Sequence, residues 1–350
     1  MNRREFLQPS RLGNLAAPVL EIADELEAPP TAALSSAPVL LHFARKAMAT
    51  TFEIILPFDA PCAAELAQSA LDEIDRLEAQ LTAYRDSSEI CKLNAQAARH
   101  PVRVEAHLFE LLTLAERLHR DTEGAFDIAV GALIKTWGFF RRQGRVPTPE
   151  ELIAVRDRIG MRHVVLDAPK QTVHYRRQGI EINLGSIGKG FALDRAALLI
   201  RATAPNALLH GGHSSVLALG NETPTKRGWT VGLSDPERRN WRRALVHLCD
   251  RALATSALTH QHFKHEGRKL GHLLDPRSAW PAQGILSATV TAPTAAEADA
   301  LATAFFILGV EKSRAYCEEH PHIGAALIAE DAPRRLIVLG RAAEEVEVLR

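Results

Sequence analysis

Several features that would assign a chain to a class at once are missing here. Cysteine is scarce: Cys62, Cys91, Cys249 and Cys317 are the only four, and none forms a CxxC pair. Such spacing argues against a thiolate zinc site and suggests no disulfide framework, so unpaired buried thiols are the default. Neither sign of charge is in excess, because 42 basic residues balance 42 acidic ones. A nucleic-acid surface is therefore not expected. No run approaches the ~18–20 apolar residues that a membrane span needs, so no transmembrane segment is expected. No internal repeat is evident. What remains is ordinary globular composition, 46% apolar over 350 residues, enough for one large domain or two small ones.

The N-terminus carries Asn2-Arg3-Arg4-Glu5-Phe6-Leu7, similar to a twin-arginine export motif. Leu12 to Leu20 is moderately apolar, but Glu21, Asp24, Glu25 and Glu27 follow at once, where export signals avoid acid. The balance leans to a cytoplasmic chain, with export as the alternative. Residues 28–38 read as a linker rich in Pro, Ala and Ser. Residues 1–38 are thus an extension, and 39–345 the main domain.

Val39 to Leu56 alternates as a strand pair. Cys62 to Tyr84 has helical spacing, with Leu66, Ala70, Ile74, Leu77 and Leu81 on one face. A second helix is expected over about 106–121 and a third over 192–204. Strands are expected at 163–166, 172–175 and 179–184, then near 207–219, 228–233, 251–256 and 286–291. A helix over 294–308 follows, with Thr294 and Glu297 at capping-box spacing and Gly309 as its stop. Helices and strands interleave without strict βαβ alternation, which favours an α+β fold.

Four segments carry candidate chemistry. Asn183 to Asp194 places Gly185, Gly188 and Gly190 in a turn that leads into a helix. Glycines let backbone approach a ligand, and free amides at a helix start attract phosphate. The spacing fits neither a Walker loop nor the Rossmann fingerprint. Taken alone, it reads first as a structural turn, with Lys189 as readily solvated as bound to phosphate. Asp299 and Thr303 lie four residues apart on a mostly apolar helix and share a face. Two readings stand: oxygen ligands for a hard cation such as magnesium, or groups satisfied within their own helix. His272 precedes two apolar residues before the Asp275-Pro276 turn, and Asp127 sits in the apolar stretch Gly124-Ala-Phe-Asp-Ile-Ala-Val-Gly131. Neither is catalytic on local grounds.

Their order and combination say more. Tyr84-Arg-Asp-Ser-Ser-Glu-Ile-Cys-Lys-Leu-Asn94 resembles the Y-R-x-x-S-E-[IL]-x-x-[LF]-N segment of the ApbE family of FAD:protein FMN transferases. Gly124 to Gly131 with Trp137-Gly138-Phe139 is similar to that family's G-[AT]-F-D-x-x-V-G and W-G-F stretches, and Gly185 to Asp194 to its G-x-A-K-G-[YF]-A-x-D turn. Arg45 to Phe52, Ala254-Thr-Ser256, His272 to Pro281 and Glu297 to Gly309 complete the set. The resemblance runs over about residues 45–330 and decides the Asp299 and Thr303 question in favour of a metal.

It implies a T-fold-type α+β unit of two subdomains with FAD, the substrate, between them. Asp299 and Thr303 would ligate Mg2+, with a contribution from Ser186. Met48, Tyr84, Ala125, Phe126, Asp127, Asn183, Lys189 and Leu274 would line the FAD site, and His272 would serve the transfer step. The implied reaction moves FMN from FAD to a Ser or Thr of a flavoprotein, in a segment like D-[GA]-x-[ST]-G-[AS]-[ST], and releases AMP. An FAD pyrophosphatase, with water as acceptor, and a flavin-binding protein without turnover are the rivals. The chain departs from the family at Asn183, where Asp is usual, and at His213, where an acid is usual. Ala257-Leu-Thr-His-Gln-His262 replaces a Gly-containing aromatic segment.

Overall fold

The computed structural model describes residues 39–141, 143–223, 226–238, 240–258 and 262–349. The twin-arginine-like segment, the linker and Thr259 to Gln261 of the divergent segment lie outside them.

In chain order the elements are β1 (Leu40–Ala47), β2 (Thr50–Pro57), α1 (Ala63–Leu81), α2 (Glu89–Gln96), β3 (Val102–Arg103), α3 (Ala106–Asp121), α4 (Gly131–Thr136) and α5 (Pro149–Arg156). Next come β4 (Val164–Asp167), β5 (Thr172–Tyr175), α6 (Gly188–Ile200), β6 (Ala207–Gly211), β7 (Ser215–Leu219), β8 (Trp229–Ser234), β9 (Arg242–Leu248) and β10 (Arg251–Ala257). The chain continues through β11 (His262–His265), β12 (Arg268–Gly271), β13 (Leu274–Asp275), β14 (Trp280–Pro281) and β15 (Ile285–Ala292). It closes with α7 (Ala295–Glu319), β16 (Gly324–Ala329), β17 (Ile337–Gly340), α8 (Ala342–Glu345) and β18 (Val346–Val348).

An eight-stranded antiparallel sheet, ordered β1-β2-β6-β7-β10-β15-β16-β17, organises the molecule. Its inner strands β7, β15 and β16 are buried on both faces, while the edge strand β1 exposes one, and period-2 alternation sorts the side chains. Phe52, Ile54, Leu217, Leu219, Ala252, Ala254 and Val290 face a core shared with α1, α6 and α7. Ile55, Val216, Ala218 and Leu253 face the other way, onto Trp229, Leu233 and Val246 of the small β18-β9-β8 sheet. A third apolar cluster gathers Leu133, Trp137, Phe139, Leu152, Leu270 and Leu274 from α4, α5 and the β12–β14 region. The fold is α+β, as the interleaved pattern predicts.

α7 is the element that matters most for the site. Thr294 Oγ1 accepts a hydrogen bond from Glu297 N at 3.2 Å, so the predicted cap forms. Leu301, Phe305 and Phe306 are fully buried against the sheet, each stabilising the helix by ~1.5–3 kcal/mol. Gly309, at φ 78° and ψ −177°, breaks the helical run where the sequence predicts a stop, and a second helical piece continues to Glu319.

One predicted strand does not form. Gly179 lies in a turn with φ +82°, and residues 180–184 join no ladder. Their backbone groups are used by loops and one side chain. Glu181 O accepts from Gly131 N at 2.9 Å, Asn183 N donates to Ile128 O at 2.8 Å, and both backbone groups of Ile182 are taken by Asn94.

Candidate functional site

The glycine-rich turn folds for a steric reason. α6 begins at Gly188, earlier than its apolar pattern suggests, and crosses the start of α7 at Gly190. A Cβ on Gly190 would stand 2.0 Å from Ala295 O, which no side chain tolerates. The contact frees the Gly190 amide to donate to Asp299 Oδ2 at 2.7 Å. Asp299 Oδ1 accepts from Ser215 Oγ, fully buried at the start of β7, at 2.6 Å. Lys189 Nζ lies 3.9 Å from Asp299 Oδ2. One helical turn further, Thr303 Oγ1 sits 3.3 Å from Ser256 Oγ of β10.

A second carboxylate fixes the same junction. Asp194, on α6, accepts from Ala295 N at 2.8 Å and from Ala296 N at 2.9 Å, capping α7 from outside its own chain segment. Burial pushes the Asp194 carboxyl up to about 7, against the pull of those two amides. Arg117 of α3 adds a 2.6 Å ion pair to Glu297 in the first turn of α7.

The residues implied for the flavin divide into two kinds. Asp127 is buried, and its carboxylate is committed to the protein: Oδ1 accepts from Ala129 N at 2.7 Å, Oδ2 accepts from Met161 N at 3.0 Å, and His119 Nδ1 lies 3.2 Å away. Burial alone would lower the His119 pKa, but the Asp127 carboxylate and the Phe126 carbonyl outweigh it and hold the imidazole above its ordinary value. Ala125 and Phe126 are 1% and 0% exposed, so their side chains are core and only their backbone can face a ligand. Asn183 Oδ1 accepts from Gly185 N at 2.9 Å and shapes the turn.

Tyr84, by contrast, is 66% exposed and stacks on Phe140, with ring centroids 4.5 Å apart. Phe139, next in the chain, meets the His272 ring edge-on at 6.4 Å. Trp137 Nε1 donates to Ala279 O at 3.0 Å, and its ring meets Trp280 at 5.2 Å. The Tyr84, Trp137–Phe140 and His272–Pro281 segments, distant in sequence, therefore converge around one aromatic cluster. Leu274 is buried within the Trp137 core and pairs with Pro281. Met48 occupies the β1–β2 turn with φ +48° and is half-buried. Ser186 lies half-buried in the turn just before α6.

The sequence does not single out Ser215 or Phe140, names Asn94 only as the last residue of a motif, and offers Gly190 for ligand approach rather than for the helix crossing it makes. Asn94 accepts at Oδ1 from Tyr175 OH at 2.9 Å as well as from Ile182 N. It thereby pins the segment that runs into Asn183. Ser88 of the same motif caps α2, accepting from Cys91 N at 3.0 Å. A cavity of about 340 Å³ between α1, α3 and α6, lined by Arg76, His107, Arg195 and Leu199, involves none of the predicted site residues.

A buried carboxylate is thus held by a backbone amide and a hydroxyl, beside a lysine at a helix start, on an α+β scaffold. Comparison with known proteins gives the chain its class. The model of the ApbE family matches residues 48–328, and the chain belongs to this family. It is 34% identical over 281 residues to the FAD:protein FMN transferase of Treponema pallidum, covering 75% of this chain and 78% of that one. It is 30% identical over 299 residues to the FAD:protein FMN transferase of Salmonella typhimurium, covering 82% and 83%. The crystal structure of the ApbE protein of Thermotoga maritima superposes with a TM-score of 0.79 at 26% identity, over 87% of this chain and 98% of that one.

Proposed function

We propose that this chain transfers FMN from FAD to a Ser or Thr hydroxyl of an acceptor flavoprotein and releases AMP. The observation that carries the reading is the Asp299 carboxylate, 7% exposed yet fixed at both oxygens, one turn from Thr303 and beside Lys189. The donor set is all oxygen, as magnesium requires. Asp299 and Thr303 would hold the ion, with Ser186 contributing from the turn before α6. Bound there, magnesium would neutralise the charge that grows on the pyrophosphate as AMP leaves.

The chain's own groups supply the rest. The start of α6 offers backbone and the Lys189 ammonium to the phosphates. Tyr84 and Leu274, with Met48 in the β1–β2 turn, receive the ring systems of FAD. Asp127 holds the Ala129 and Met161 amides and the His119 ring, which in turn meets the Phe126 carbonyl, and so supports the Ala125–Phe126 backbone beside that site. In the transfer, the acceptor hydroxyl oxygen bonds to the FMN-side phosphorus as the bond from that phosphorus to the AMP oxygen breaks. His272 takes the hydroxyl proton, assistance worth ~10²–10⁴-fold.

The test is incubation of the protein with FAD, magnesium and a domain bearing D-[GA]-x-[ST]-G-[AS]-[ST], followed by intact mass. The acceptor gains one FMN, and changing its last Ser or Thr to Ala prevents the gain. FAD consumed at one rate with and without acceptor, with no gain in mass, would make water the acceptor and the protein a pyrophosphatase.

A further inference from the structure

We infer that Ser215 and Ser256 are positioning residues for the metal, each orienting one of the two ligand side chains of α7; the inference rests on the magnesium reading above. The two serines interrupt a pattern. On β7, Leu217 and Leu219 face the helices, and on β10 Ala252 and Ala254 do the same. Ser215 and Ser256 extend those two rows with hydroxyls, and the strands are neighbours, with Ser215 opposite Ala254. Two hydroxyls under one helix, at positions where alternation calls for apolar side chains, need partners. They meet the two residues of α7 implicated in metal binding: Ser215 Oγ donates to Asp299 Oδ1 at 2.6 Å, and Ser256 Oγ lies 3.3 Å from Thr303 Oγ1.

Each contact does a specific job. A carboxylate has about four lone-pair directions. Gly190 N occupies one on Oδ2 and Ser215 one on Oδ1, which stops the group rotating and leaves a lone pair on each oxygen for a cation. Without the Ser215 hydroxyl the carboxylate is held at one oxygen only, the one nearest the Lys189 ammonium. Thr303 faces a different problem. A hydroxyl that ligates a cation through its lone pair must send its hydrogen elsewhere, and in a helix the usual outlet is the carbonyl four residues back. Ser256 Oγ offers an acceptor outside the helix, so the Thr303 oxygen is presented away from its own backbone.

The experiment titrates the full chain with Mn2+, followed by electron paramagnetic resonance, alongside FAD titrations in EDTA. Ser215→Ala and Ser256→Ala should each weaken Mn2+ binding by about tenfold, as loss of a ligand-orienting group does. FAD affinity without metal should stay within twofold, and Ser256→Thr should restore the Mn2+ affinity. Asp299→Ala should bind no Mn2+. Both serine variants binding Mn2+ within twofold of wild type, while Asp299→Ala does not, would overturn the inference and leave the magnesium reading intact. Wild-type protein that binds no Mn2+ would overturn both. Should Ser215→Ala fail to fold, Ser256→Ala and its threonine rescue decide the matter.

Discussion

The α6–α7 junction and the aromatic cluster around Tyr84 and His272 are built in opposite ways. At the junction Asp299 is 7% exposed, both its oxygens are held, and the approach of the two helices depends on a glycine. In the aromatic cluster Tyr84 is 66% exposed and rests on one stacked ring. The contrast follows from what each end would bind. The energy of a charge near a phosphate or a metal falls steeply with distance in a buried site, so its geometry must be fixed in advance. Ring stacking tolerates offsets, so an exposed tyrosine can meet a flavin or an acceptor segment without a rigid frame.

The contrast breaks most visibly at Asp299. Asp299→Ala should reduce magnesium-dependent transfer to background while the far-ultraviolet circular dichroism spectrum is retained, because the cap and apolar face of α7 are untouched. Activity that survives, or that ignores EDTA, would contradict the metal assignment. Gly190→Ala ranks next. Its Cβ meets backbone at 2.0 Å rather than a flexible side-chain end, so the helices must separate, at a cost of ~1–3 kcal/mol measured by urea denaturation. The same variant should need more magnesium for half-maximal rate, since the Gly190 amide moves with α6. On the aromatic side Phe140→Ala should weaken FAD binding by ~2–12-fold, the worth of a stacked pair at ~0.5–1.5 kcal/mol, with the maximal rate little changed. A loss of maximal rate instead would place Phe140 in the transfer step.

The smallest effect sharpens the account of Asp127. The raised pKa of His119 means that its charged form is favoured in the folded chain. That contribution is fully present below the unfolded histidine value of ~6.5 and is lost as pH rises through the higher folded value. The stability difference between wild type and His119→Gln should therefore be larger at pH 6 than at pH 9. Equal differences would mean that the ion pair with Asp127 contributes nothing.

How far the sequence reached differs between the same two regions. α3 is readable to its ends, and α7 announces itself through Thr294, Glu297 and Gly309, because caps and helical periodicity are local signals. The order of motifs locates Asp299 and Lys189. What stays hidden is long-range. Ser215 lies 84 residues from Asp299 in the chain, and its role depends on strand parity and on the crossing of a helix over the sheet. Residues 179–184 have a strand's composition, but Asn94 and the 128–131 loop take their backbone groups before any strand can. The sequence shows the apolar setting of Asp127 but not the two backbone amides and the His119 ring that share its carboxylate. Phe140 follows a W-G-F motif without belonging to it, and only the fold brings it to Tyr84.

In the proposed reaction the junction holds a pyrophosphate for attack by a protein hydroxyl rather than by water. The most direct measurement is the ratio of AMP released to FMN attached, followed through a single time course with FAD, magnesium and acceptor domain. The account predicts one AMP for each FMN attached, with almost none released when the acceptor lacks its hydroxyl. AMP released in large excess over attached FMN, at a rate that ignores the acceptor, would contradict it.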